Sequence, residues 1–108
     1  MTRFEALDLS LDLIRALAPI VRRIQTHDAE EARQMRSAAS SVSRNLAEGR
    51  ARAGKDKPHL YRIAAGSAAE VRAGLLIAGA WGWVTAEEVG QAMALVDRLC
   101  AILWRLTH

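Results

Sequence analysis

The stretch "SSVSRNLAEGRARAGKDKPHLYRIA", residues 40–64, contains the end of one helix, a charged connection and the start of another helix. Val42 and Leu46 are one helical turn apart, which predicts a helix through the first part. Gly49 follows and predicts a left-handed stop at the end of that helix. Pro58 suits the first turn of the next helix, because its missing N–H needs no partner there. The stretch therefore predicts a helix, a loop and a second helix.

The loop, residues 50–57, lies within the segment that holds the positive charge excess. Residues 44–62 include six basic and two acidic side chains, whereas the other residues carry nine basic and ten acidic ones. A local basic patch attracts polyanions by releasing their counterions, although a loop can also be merely solvated. The residues predicted to contact nucleic acid are Arg44, Arg50, Arg52, Lys55, Lys57 and Arg62, extended by Arg15 and Arg22 of the first helix.

Apolar residues at helical spacing predict four helices, and no segment alternates like a strand. The first runs from about residue 2 to residue 26, and Pro19 predicts a kink or a break near residues 15–19. The fourth follows Thr85 and is apolar beyond one face, which indicates burial in an oligomer. We therefore predict an all-α fold, an antiparallel up-down-up-down four-helix bundle with a single domain over residues 1–108.

Capping residues and glycines predict where helices begin and where they pack closely. Asp28 with Glu31, and Thr85 with Glu88, have the spacing of a capping box and predict the starts of the second and fourth helices. Glycines inside the third helix predict close approach of a neighbouring backbone. These glycines are Gly66, Gly74 and Gly79.

No catalytic or metal-binding constellation is apparent. The histidines His27, His59 and His108 have no partner at a ligand spacing, and the single Cys100 cannot build a zinc site. The helical serines lack a histidine placed to act as base, and no glycine-rich phosphate loop is present. We therefore expect no enzymatic activity, no metal and no cofactor.

The sequence also predicts the compartment. A lone cysteine cannot form an internal disulfide, which fits a reducing cytoplasm. Residues 1–14 contain several charged side chains and lack the apolar core of a signal peptide. The longest uncharged apolar stretch, "AGLLIAGAWGWV" at residues 73–84, is too short to cross a bilayer. We expect a cytoplasmic protein with no membrane partner.

Two polar pairs interrupt otherwise apolar helices. Asn45 and Glu48 are three residues apart, as are Ser67 and Glu70, so each pair shares a helix face. We interpret the pairs as a hydrogen-bonded network at a helix seam that fixes the register of the helices. The alternative is a ligand pocket.

Two segments resemble a known family. "QMRSAASSVSRNLAEGRAR", residues 34–52, resembles the pattern Q-x-R-x-A-x-S-(I/V)-x-x-N-(I/L)-A-E-G-x-x-R, and "YRIAAGSAAEV", residues 61–71, resembles the pattern I-A-x-G-S-x-x-E that follows it. The family consists of small four-helix-bundle proteins. It includes proteins encoded in intervening sequences of bacterial 23S ribosomal RNA genes and accessory variability proteins of diversity-generating retroelements. The matching positions are Gln34, Arg36, Asn45, Ala47, Glu48, Gly49, Arg52, Gly66, Ser67 and Glu70.

The resemblance implies an antiparallel bundle that assembles as a ring-like homopentamer. For retroelement members it also implies a basic surface that binds nucleic acid and a reverse transcriptase. Our first hypothesis is a non-enzymatic homo-oligomer that binds RNA or DNA. The alternative is a protein-interaction scaffold whose exposed contacts are Trp81, Trp83 and Trp104.

Overall fold

The computed structural model describes residues 4–108, and all regular structure in that range is helical. The four helices are α1 (Glu5–Gln25), α2 (Ala29–Ala51), α3 (Asp56–Ala80) and α4 (Ala86–Thr107). This confirms the prediction of an all-α fold with four helices. The predicted start of the first helix at residue 2 lies outside the described residues.

The helices enclose a single apolar core. Each helix packs against its neighbours in sequence, and α4 also packs against α1. Leu17, Val42, Val71 and Leu99, one from each helix, are almost completely buried in this core. The resulting body is elongated, with dimensions of 43 × 24 × 23 Å.

Aromatic contacts mark one end of the body, which we call the loop end because it adjoins the connection at residues 52–55. The Phe4 and Tyr61 rings are tilted against each other, with centroids 6.1 Å apart. The guanidinium of Arg50 lies 5.4 Å from the centroid of the Phe4 ring. Residues from three separate parts of the sequence therefore meet beside the basic loop.

The opposite end, which we call the tryptophan end, is held by Arg23. Its Nε donates a hydrogen bond to the carbonyl oxygen of Trp83 at 3.0 Å, and its guanidinium pairs with the Glu88 carboxylate at 3.2 Å. The end of α1 is thereby tied to the α3–α4 connection and to the first turn of α4.

Helix α1 continues through Pro19 rather than breaking there. Pro19 is exposed, so its ring displaces no core side chain. Leu17 and Ile20 on either side are buried and hold the helix against the core. Tertiary packing therefore outweighs the lost backbone hydrogen bond.

The prediction that Gly49 ends the helix in a left-handed conformation is wrong. Helix α2 continues to Ala51, and the left-handed residue is Gly54 in the connection, with φ of +67°. A Cβ atom on Gly49 would lie 2.5 Å from Cε1 of Tyr61. Gly49 is therefore required by the close packing of Tyr61 and not by helix termination.

Thr85 and Glu88 form the complete predicted capping box, whereas Asp28 and Glu31 show one of its two hydrogen bonds. The backbone N–H of Glu88 donates to Oγ1 of Thr85 at 3.1 Å, and the backbone N–H of Thr85 donates to the Glu88 carboxylate at 2.8 Å. Asp28 accepts a hydrogen bond from the backbone N–H of Glu31 at 3.0 Å. Helix α3 begins at Asp56, two residues before the predicted start at Pro58, and Pro58 remains within its first turn.

The apolar surface expected on the fourth helix lies more on α3. On α4, Met93, Leu95 and Ile102 are half-buried, although Trp104 is exposed. Helix α3 has an exposed row of small and apolar residues at helical spacing, which we call the α3 outer row. Its residues are Gly66, Ala69, Ala73, Leu76 and Ala80.

Among the described helices, α3 is the one long and apolar enough to cross a bilayer by length and composition. One third of the relevant window, 33%, is buried inside the bundle. Core residues on one side and the α3 outer row on the other account for this composition, since a core helix of a bundle passes the same test.

Candidate nucleic-acid interface

The α2–α3 connection presents basic side chains to solvent at the loop end. Lys55 is exposed and Lys57 is half-buried. Within residues 4–108, neither lysine makes a side-chain hydrogen bond or an ion pair, and Arg52 reaches the Asp56 carboxylate only at 3.8 Å. Most of the positive charge of the connection is therefore not neutralised by the chain's own carboxylates.

Two further arginines flank the connection. Arg62 is exposed on the second turn of α3, and Arg44 is exposed two turns before the end of α2. Neither has an ion-pair partner in the described part of the chain. Arg44 also lines an open polar groove of about 490 Å³ that runs along α2 past Ser40 and Arg36. The predicted contacts on α2 and α3 thus lie within about two helical turns of the connection.

The structure does not bring Arg15 and Arg22 to this surface. Arg15 pairs with Asp12 at 2.9 Å on α1. Arg22 is 17 residues beyond Glu5, or about 26 Å along the helix axis. It lines an apolar groove of about 300 Å³ between α1 and α2. That groove shares Arg36 and Ser40 with the groove that Arg44 lines. A nucleic-acid role for Arg15 and Arg22 remains a prediction, and it requires a contact away from the loop end.

The polar seam between α2 and α3 is real but is centred on Ser41. Asn45 donates to the backbone oxygen of Ser41 at 2.8 Å and to its Oγ at 3.1 Å. Ser67 on α3 donates to the same Oγ at 2.8 Å. On the other side of α2, Ser43 shares a hydrogen bond of 2.8 Å with Ser10 on α1. Serines of α2 therefore link this helix to both neighbours.

The remaining motif residues lie outside that network. Glu48 and Glu70 are exposed, and Glu70 lines a shallow groove with Arg33 and Ser37. Gly66 is exposed, and no atom lies within 4 Å of the position that its Cβ would occupy. Of the residues predicted to form the seam network, Asn45 and Ser67 therefore take part in it through Ser41, whereas Glu48 and Glu70 do not. The small-residue run at residues 37–41 is the sequence signal for this network.

Sequence reasoning missed an aromatic pair at the loop end. The Trp104 and His108 rings stack with centroids 3.4 Å apart and an interplanar angle of 19°. Trp104 nevertheless remains 60% exposed. The guanidinium of Arg98, six residues earlier on α4, pairs with Glu5, the residue after Phe4. More than 40 residues separate this pair from the basic loop in the sequence, so no local pattern joins them.

A reactive nucleophile and a group of metal ligands are the features that covalent or metal chemistry would require of the described residues. Burial raises the pKa of the Cys100 thiol, and the Asp97 carboxylate raises it further. The thiol therefore stays protonated at neutral pH and is a poor nucleophile. Within residues 4–108, no group of three or more His, Cys, Asp or Glu side chains lies close enough together to hold a metal ion.

The sequence places this basic bundle in a family. The profile of the family described as 23S rRNA-intervening sequence protein matches residues 3–105. The chain belongs to this family. No curated protein matches the sequence significantly.

A solved structure confirms the fold of this chain. It is the crystal structure of a protein of unknown function from the S23 ribosomal protein family of Bacteroides thetaiotaomicron VPI-5482. The two structures superpose with a TM-score of 0.85 at 16% sequence identity, covering 94% of this chain and 97% of that chain. At this identity the likeness concerns the fold alone.

Proposed function

We propose that this member of the family is a non-enzymatic, self-associating bundle that binds the backbone of RNA or DNA through its loop end. The observation that carries the proposal is the group of Lys55, Lys57 and Arg62, which have no ion-pair partner within residues 4–108 and adjoin Arg50 and Arg52. Cations that are not neutralised within the protein replace counterions along a phosphate backbone, which favours binding.

Self-association would bring several loop ends together. Two ion pairs among the described residues connect α1 and α4. Glu5 at the start of α1 pairs with Arg98 in the second half of α4, and Arg23 near the end of α1 pairs with Glu88 in the first turn of α4. We infer from these pairs that the two helices run antiparallel. The α3 outer row is the surface best suited to contact a second copy, since small residues allow close helix approach. A ring-like pentamer is the assembly that the resemblance implies, and several linked sites bind more tightly than one.

Charge reversal tests the location of the binding surface. The variant Lys55→Glu/Lys57→Glu/Arg62→Glu removes the proposed contacts. The control Arg23→Glu/Arg33→Glu/Arg72→Glu changes the net charge equally, but none of its residues is a predicted contact, and each pairs with a carboxylate of the chain. Binding to labelled RNA and DNA is measured by fluorescence anisotropy at low salt, and the helicity of each variant by circular dichroism.

We expect the loop-end variant to lose at least about tenfold in affinity on every sequence tested, because backbone contacts carry no sequence information. The control should lose much less. Equal losses in the two variants would show that net charge alone matters. Absence of binding by the unaltered protein at micromolar concentration would overturn the proposal.

A protein-interaction scaffold is the second candidate, and the tryptophan end favours it. Trp81 is 70% exposed and stacks on Trp83 with ring centroids 6.0 Å apart. Trp83 in turn stacks on His27 at 5.8 Å. Exposed, pre-ordered aromatic rings are typical anchors of protein interfaces. A reverse transcriptase is the protein partner to test, and its binding should resist nuclease and be lost in Trp81→Ala.

A further inference from the structure

We propose that Trp104 is a stacking site for an unpaired base, so that the loop end binds single-stranded nucleic acid in preference to a duplex. This inference rests on the proposed nucleic-acid function and specifies its ligand. Trp104 is 60% exposed although His108 stacks against it. An indole that is supported by a second ring and still open to solvent is pre-ordered to receive another flat ring.

The position of Trp104 follows from the contacts of α4. This helix begins at the tryptophan end, where Glu88 pairs with Arg23, and its residue Arg98 pairs with Glu5 beside the loop end. Trp104 is six residues beyond Arg98, about 9 Å further along the helix axis. The ring pair therefore lies at the same end of the molecule as the basic connection.

The register between α3 and α4 places Trp104 near the axial level of the basic start of α3. Nε of Arg72 donates to the Asp97 carboxylate at 2.7 Å, which fixes these two residues at one level. Trp104 is seven residues, or two helical turns, after Asp97 and therefore lies on the same flank of α4, facing α3. Arg62 is ten residues before Arg72, so it lies within about 5 Å of the level of Trp104 along the axis.

This arrangement has the two parts that a single-strand site requires. Arg62 and the lysines of the connection supply positive charge for the phosphates, and Trp104 supplies a flat surface for one base. Arg105, next to Trp104 in the sequence, is exposed and has no ion-pair partner in the described chain. Stacking on an aromatic ring tolerates any base, but only a base that is not held inside a duplex.

Trp81 provides an internal comparison. It is slightly more exposed than Trp104, at 70%, and also stacks on another ring. It lies at the tryptophan end, where Arg23 pairs with Glu88. Asp28 and Glu87 add further negative charge there. This environment favours phosphate less than the loop end does, so Trp81 is the matched control for Trp104.

The test compares Trp104→Ala, Trp104→Phe and Trp81→Ala with the unaltered protein. Each is titrated with a single-stranded RNA, a single-stranded DNA of the same sequence and the corresponding duplex DNA. We expect Trp104→Ala to weaken binding to both single strands by about 5-fold to 100-fold, the range found for loss of one base–aromatic stack. Trp104→Phe should recover most of the affinity, and Trp81→Ala should bind as the unaltered protein does. Duplex affinity should stay unchanged in all variants.

Three results would overturn the stacking site. The first is that Trp104→Ala binds single strands as tightly as the unaltered protein does. If the loop-end charge-reversal variant still loses binding, the proposed function stands without the stacking site. Another is an equal loss on duplex and single strands. The last is a change in the sedimentation coefficient of Trp104→Ala, which would make Trp104 an assembly contact. If the unaltered protein binds no nucleic acid, the proposed function falls together with this inference.

Discussion

Gly49 and Tyr61 show how closely α2 and α3 approach each other. A methyl group on Gly49 would overlap the Tyr61 ring, which is buried and packed against Phe4 and therefore has little room to move. Replacing a helical glycine by alanine normally gains about 1 kcal/mol. At Gly49 that gain is opposed by overpacking of about 1–3 kcal/mol.

We predict that Gly49→Ala has a free energy of unfolding about 1–3 kcal/mol lower than that of Gly90→Ala. Gly90 is the control because it lies inside α4, and no atom is within 4 Å of its Cβ position. The comparison cancels helix propensity and leaves the packing cost. Urea denaturation of the two variants gives the difference, and equal stabilities would refute the proposed role of Gly49.

Tyr61 is the single tyrosine in the chain, so its titration can be observed directly. Burial raises the pKa of its phenol, and the nearby Arg50 charge opposes the shift only in part. The folded protein therefore holds this proton more tightly than the unfolded chain does. Its contribution to stability is complete below about pH 10 and is lost as pH rises through the folded pKa.

We predict that tyrosinate absorbance appears at higher pH in the folded protein than in the urea-unfolded protein. Tyr61→Phe should also reduce the loss of stability in strongly alkaline solution, because phenylalanine has no proton to lose. A folded titration curve that coincides with the unfolded one would contradict the buried position of the ring.

Among the helices, α3 is the element with apolar character on two sides. Its core side holds Val71 and Leu75, and its outer row is lined by small residues such as Ala73. A charge placed within a close helix–helix contact is left without water or a partner, which disfavours the contact. The outer row therefore gives the proposed self-association a specific location.

We predict that Ala73→Glu shifts the protein toward its 11.8 kDa monomer in analytical ultracentrifugation. The matched control is Ala101→Glu, which introduces the same charge at an exposed position of α4. The control should sediment like the unaltered protein. An unaltered protein that is already monomeric would disprove self-association, and equal effects of the two variants would disprove its location.

The helices were largely predictable from the sequence, because their signals are local. Apolar spacing gave four helices, and Thr85 with Glu88 gave a start that the structure confirms. The role of Gly49 was not predictable, because the same residue serves as a helix stop or as a close contact, and Tyr61 lies on another helix. The hydrogen bond between Ser41 and Ser67 was unpredictable for the same reason, because the two residues belong to different helices.

For the candidate site, the sequence identified the cations but not their surroundings. Lys55 and Lys57 are neighbours along the chain, so their joint charge is visible in the sequence. The level of Trp104 relative to Arg62 depends on how α4 packs on α3. The separation of Arg22 from the loop depends on the length and direction of α1. Because such positions depend on how helices pack in three dimensions, no local pattern in the sequence predicts them.

For the whole molecule, the two ends differ in character. At the loop end, Trp104 lies with Lys55, Lys57 and Arg62, which have no ion-pair partner among residues 4–108. At the tryptophan end, the stacked rings of Trp81 and Trp83 lie with carboxylates. An elongated body of 43 Å with a basic group at one end presents that end to a polyanion. In the proposed oligomer, the loop ends of several chains would contact the same polyanion. Their combined positive charge would then bind it more tightly than the modest charge of one chain.

The central claim is that Lys55, Lys57 and Arg62 at the loop end bind a phosphate backbone, and the salt dependence of binding tests it most directly. Each phosphate contact contributes about −0.7 to the slope of log K against log salt for a single strand. Lys55, Lys57 and Arg62 alone give a slope of about −2 for one chain, and an oligomer gives a steeper one. We predict a slope of −2 or steeper for the unaltered protein with single-stranded RNA, and a shallower slope for the loop-end charge-reversal variant. An affinity that does not change between low and physiological salt would contradict the account.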